Sequence, residues 1–153
     1  MAKKDFKLLV ACNNKKFLKN LVRKLIPIYT VKGAKDIREL AVKLKTPQSL
    51  VVIDHQFMGF DAVELQKKIS PYCQNLVFVV YSEAERKAVT EKTKKYRAID
   101  YILYTPRVMD FAEKIHKAVR WNILQSEVSY LGLKISTVAE SIKKLSKKIE
   151  NFY

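Results

Sequence analysis

The chain places a carboxylate at the end of an apolar run, Leu50-Val51-Val52-Ile53-Asp54. A second run, Leu8-Leu9-Val10-Ala11-Cys12, ends in the amide pair Asn13-Asn14. Two hydroxyls, Ser82 and Thr105, follow further apolar runs at Leu76 to Tyr81 and Ile99 to Tyr104. A strand-end carboxylate can accept a transferred group or ligate a hard cation, but either task needs positive charge or more anionic oxygens beside it. Amides and hydroxyls supply only dipoles. The plainer role for Asp54 is a carboxylate bonded to nearby backbone N–H groups.

The other chemistry-bearing side chains read as structural. His55 adjoins Asp54, yet successive strand residues point to opposite faces, so no acid–base pair is expected there. His116, in Lys114-Ile115-His116-Lys117, reads as a surface or helix-packing histidine. Cys12 sits in an apolar strand pattern as a small hydrophobe, and Cys73 has no His or Cys at metal-ligand spacing. No glycine-rich phosphate loop, zinc-ligand spacing or nucleophile elbow is present. These patterns point to a non-enzyme.

The elements that would position these residues follow from periodicity. Strands are expected at Phe6 to Cys12, Ile28 to Val31, Leu50 to Asp54, Leu76 to Tyr81 and Ile99 to Tyr104. Between them, apolar residues recur at helical spacing over Asn14 to Ile26, Ala34 to Leu44, Asp61 to Ile69, Glu83 to Tyr96 and from Arg107 onward. Alternating strands and helices with nearly continuous apolar strands predict a parallel sheet covered on both faces. In such doubly wound sheets the crevice lies at the carboxyl ends of the strands, where Asn13, Asn14, Asp54, Ser82 and Thr105 all fall.

The (βα)5 order, the spacing of strand ends, the segment Asp54-His55-Gln56-Phe57-Met58-Gly59-Phe60-Asp61-Ala62, Ser82 and the Thr105-Pro106 pair resemble the receiver domain of two-component response regulators. The match covers about residues 6–123. The resemblance implies a flavodoxin-like sheet of order 2-1-3-4-5, with Asp54 as phosphoacceptor and Ser82 and Thr105 as switch positions. It puts Asn13 and Asn14 where the family has an acidic pair for Mg²⁺, Thr105 where it has a lysine, and Ile102 where it has an aromatic switch. Two amides are poor Mg²⁺ ligands, and losing both metal site and lysine removes the charge that stabilises phosphoryl transfer. A degenerate receiver is therefore expected, with no cofactor, and with Mg²⁺ only if the site is still active.

Beyond the fifth strand, Leu124, Val128, Leu131, Ile135, Val138, Ile142, Leu145, Ile149 and Phe152 recur at alternating spacings of three and four after Trp121. This is an a/d seam. β-Branched residues at a and mainly Leu at d favour a parallel two-stranded coiled coil, while small e positions (Gly132, Ala139, Ser146) leave closer approach or a higher oligomer open. The expected division is a receiver-like domain at 1–123 and a coiled-coil extension at 124–153.

The composition, 48% hydrophobic over 153 residues, suits one core plus an appendage. No run approaches the roughly 18 residues of a membrane span, and no signal-peptide pattern opens the chain, so a cytoplasmic protein is expected. Its net charge is +15, and residues 1–60, which include the first two helices, carry 13 basic against 4 acidic residues, which favours anionic partners. Taken together, the sequence predicts a homodimeric, phosphorylation-independent signalling module that binds a protein partner. The alternatives are a phosphoacceptor with an altered site, or a basic nucleic-acid-binding regulator. Weak, non-specific nucleic-acid binding is expected even without that role, although no helix-turn-helix or aromatic stacking platform is visible.

Overall fold

The computed structural model describes residues 3–95 and 99–150, without the side chains at 3, 99, 126–137, 146 and 148–150. Five strands, β1 (Lys7–Ala11), β2 (Thr30–Ala34), β3 (Gln48–Asp54), β4 (Cys73–Val80) and β5 (Ile99–Leu103), form one all-parallel sheet in the order β2-β1-β3-β4-β5. Five helices alternate with them: α1 (Lys15–Leu25), α2 (Ile37–Lys43), α3 (Ala62–Ile69), α4 (Glu83–Thr93) and α5 (Val108–Glu150). This is the flavodoxin-like α/β topology. The central strands β1, β3 and β4 are buried almost end to end, as their unbroken Val, Leu and Ile runs require of a sheet covered on both faces. In register, Ala11 pairs with Ile53 and Asp54 with Val79, so the carboxyl ends of these strands come level with one another.

The helix starts are set by side-chain caps. Asn14, Asp36, Asp61 and Ser82 each accept a hydrogen bond from the backbone N–H three residues on, satisfying a donor that the first helical turn leaves open. The apolar face of α1, Phe17, Leu18, Leu21 and Leu25, is buried, while Lys15, Lys16, Lys19, Asn20, Arg23 and Lys24 are exposed.

β2 departs from expectation. It begins at Thr30 instead of Ile28, because Ile28 and Tyr29 still donate to the Leu25 carbonyl in the turn that closes α1. The strand then runs on through Gly33, over which α1 packs closely: a Cβ there would meet Val22 Cγ2 at 3.1 Å. α2 starts later than its apolar pattern suggests, at Ile37, because Asp36 caps it.

The chain divides into two compact units, 1–117 and 118–153. In the second, Leu124, Val138, Ile142 and Leu145 are exposed, each by half or more. Of the remaining seam positions, the side chains of Val128, Leu131, Ile135 and Ile149, and all of Phe152, lie outside the described residues. Among the described residues no helix is long and apolar enough to cross a membrane.

Candidate functional site

Asp54 closes β3 and is buried, at 1% exposure. Its two oxygens are divided between two donors. The Asn13 backbone N–H donates to Oδ2 at 2.7 Å, and the Tyr81 hydroxyl donates to Oδ1 at 2.8 Å. Burial raises the carboxyl above its ordinary range, and the Asn13 N–H, the Tyr81 hydroxyl and nearby His55 oppose that shift. Burial likewise pushes the Tyr81 phenol up, reinforced by its bond to Asp54.

The hydroxyl bonded to Asp54 is that of Tyr81, a residue the sequence reading did not single out. Ser82 Oγ accepts from the Glu85 N–H at 3.1 Å as the α4 cap, while Glu85 returns a carboxylate oxygen to the Tyr81 N–H at 2.8 Å. This reciprocal bonding turns Ser82 into the helix start and leaves the preceding residue at the crevice. The Ser-x-x-Glu capping pattern of Ser82-Glu83-Ala84-Glu85 was the signal available in the sequence.

The amide pair also divides its work. Asn14 Oδ1 accepts from the Phe17 N–H at 3.0 Å and so caps α1. Asn13 braces the loop after β3: its Nδ2 donates to the Gln56 carbonyl at 3.1 Å, and its Oδ1 accepts from the Met58 N–H at 2.9 Å. Met58 holds left-handed backbone angles (φ 50°, ψ 38°), an unusual conformation for a side chain of its size. With Asn14 acting as cap, the residues at the β1 end beside Asp54 are Cys12 and Asn13. Cys12 is 3% exposed, and burial together with the Asp54 charge raises its thiol pKa.

Thr105 Oγ1 is buried and has no hydrogen-bond partner among the described residues. A lysine does reach the end of β5, but from α5: Lys114 Nζ donates to the Leu103 carbonyl at 2.9 Å. Ile102 is buried in β5. His55 is buried and makes no hydrogen bond to Asp54; its Nδ1 lies 3.0 Å from the Val79 carbonyl and must carry hydrogen there, and its Nε2 lies 3.9 Å from Glu85. His116 Nδ1 meets the Tyr29 hydroxyl at 2.7 Å.

Against Asp54 lies a small cavity of about 120 Å³ lined by Cys12, Phe17, Tyr81, Tyr104 and Phe111, with Asn14 and Val79 completing it. Its aromatic rings pack on one another, with Tyr81–Tyr104 centroids 4.8 Å apart, Phe17–Tyr104 5.2 Å and Phe17–Phe111 5.3 Å. Sequence reasoning missed this cluster, since each ring belongs to a different element. The donors do not fit Mg²⁺. Among the described residues no group of three acidic, His or Cys side chains is placed to hold a metal ion, and the Asn13 and Asn14 amides bond to backbone groups.

No protein-family model and no curated protein matches this sequence. Among solved structures the chain is similar to one described as an adenylate cyclase from Rhodopirellula baltica, at 14% identity and a TM-score of 0.66, covering 86% of this chain and 97% of that one. It is also similar to a yeast Spc42 trimeric coiled coil, amino acids 181–211, fused to another structure, at 22% identity and a TM-score of 0.56, covering 88% of this chain and 99% of that one. At such identities the likeness is one of fold, and it agrees with a receiver-like sheet.

Proposed function

We propose that this protein is a degenerate receiver that signals by binding and not by phosphotransfer, assembling through its C-terminal helix as a homodimer. The observation that carries this reading is the pair of donors on Asp54. One carboxylate oxygen is engaged by a backbone N–H and the other by Tyr81, while among the described residues no lysine or arginine is paired with Asp54 and no metal-ligand set is found, and phosphoryl transfer demands positive charge at the site. A phosphoryl group arriving at Oδ1 would have to displace Tyr81. The exposed Leu124, Val138, Ile142 and Leu145 support the assembly half of the reading, since such a row is costly to leave in water.

The test is incubation with a small phosphodonor and Mg²⁺ followed by intact-mass measurement. No adduct is expected. A stoichiometric adduct that disappears in Asp54→Asn would establish the rival reading, a working phosphoacceptor.

A further inference from the structure

The cavity beside Asp54 combines two features that attract the same kind of ligand. First, the carboxylate is 1% exposed and forms no ion pair with any lysine or arginine among the described residues, although a buried carboxylate retains its charge at acceptable cost only beside a cation. Its two hydrogen bonds leave acceptor capacity on each oxygen, because an ionised carboxylate offers about four lone-pair sites. Second, the opposite wall is aromatic, with Phe17, Tyr104 and Phe111 in mutual contact and Tyr81 stacked beside Tyr104. Ring faces carry the negative end of a quadrupole and hold cations within about 6 Å of the centroid.

Other ligand classes fit poorly. An anion would face a carboxylate and ring faces. A divalent metal would find one carboxylate in place of the several hard oxygens it needs. A neutral apolar molecule would bury the carboxylate further without pairing it. We propose that this cavity binds a small alkylammonium cation, with Asp54 supplying the counter-charge and the rings of Phe17, Tyr81 and Tyr104 the wall. The volume of about 120 Å³ admits a compact cation, and exposed Asn14 and Tyr81 stand at its mouth. The inference rests on the cavity alone and not on the signalling role.

The test titrates the full chain with tetramethylammonium chloride and follows the Asn13 amide and the Tyr81 and Tyr104 ring resonances by NMR. Sodium chloride at matched ionic strength and neutral tert-butanol serve as controls. Saturable shifts are expected, about tenfold weaker in affinity in Asp54→Asn and in Tyr104→Leu. Should Asp54→Asn fail to fold by circular dichroism, Tyr104→Leu carries the comparison. Saturation by methylammonium instead would support the site and narrow it to a primary amine. The proposal fails if neither cation saturates, if tert-butanol does so equally well, if a folded Asp54→Asn binds unchanged, or if phosphate with Mg²⁺ produces the shifts instead.

Discussion

The Tyr81 phenol reaches across from the end of β4 to donate to Oδ1 of Asp54 at 2.8 Å, so a side chain that is nearly half exposed seals one that is almost wholly buried. The carboxylate thus trades water for one hydroxyl and one amide donor. Its raised pKa reports that burial outweighs them.

That imbalance fixes a pH dependence. A carboxyl whose pKa in the fold lies above its unfolded value contributes stability that is fully present below the unfolded value and is lost as pH rises through the folded one. Taking the ordinary value of 3.8, the wild type should lose stability relative to Asp54→Asn as pH climbs from that value towards neutrality. Paired urea melts across that range check it. A difference between the two proteins that stays flat would show that Asp54 titrates normally.

The two asparagines should respond differently to truncation. Asn14→Ala removes the α1 cap and should cost about 1 kcal/mol of global stability. Asn13→Ala leaves its backbone N–H on Asp54 and removes only two side-chain bonds to the 56–58 loop. Its main effect should be faster hydrogen exchange at the Met58 amide. Equal global losses, or an unchanged Met58 amide, would contradict this division.

Self-association should depend on the tail. Replacing Ile135 and Ile142 with Lys places charge at two a positions of the expected seam, and sedimentation should then report a folded monomer where the wild type is a dimer. A monomeric wild type at tens of micromolar would remove the coiled-coil proposal.

The exposed basic face of α1, with Lys15, Lys16, Lys19 and Arg23, contains no acidic residue. Any affinity for a random DNA duplex should therefore fall steeply with salt and show no sequence preference. Charge-reversal at Lys19 and Arg23 should flatten the salt slope by about two contacts. Sequence-selective binding that survives high salt would favour the nucleic-acid-binding reading.

How much was legible in the sequence depended on whether a residue's task was local. The three central strands announced themselves because both faces of the sheet are covered there, and Asp54 was placed because it ends such a run. The capping roles of Ser82 and Asn14 went unread for one reason: in each case a polar side chain at a strand-to-helix junction was read only as facing the crevice, whereas the helix start also claims it as a cap. Tyr81 and Cys12 were overlooked because an apolar pattern absorbs a tyrosine or a cysteine without trace. Their meeting with Asp54 is set by strand register, which relates residues tens of positions apart. Lys114 reaches β5 from a helix, a contact that no spacing rule reveals.

Asn13 touches the carboxylate through its backbone and the 56–58 loop through its side chain. Mechanically it is a crank. A partner that grips the exposed tip at Met58 and draws the loop outward pulls on the same residue whose amide steadies Asp54, so force applied at the surface is delivered to a buried charge over the length of a single side chain.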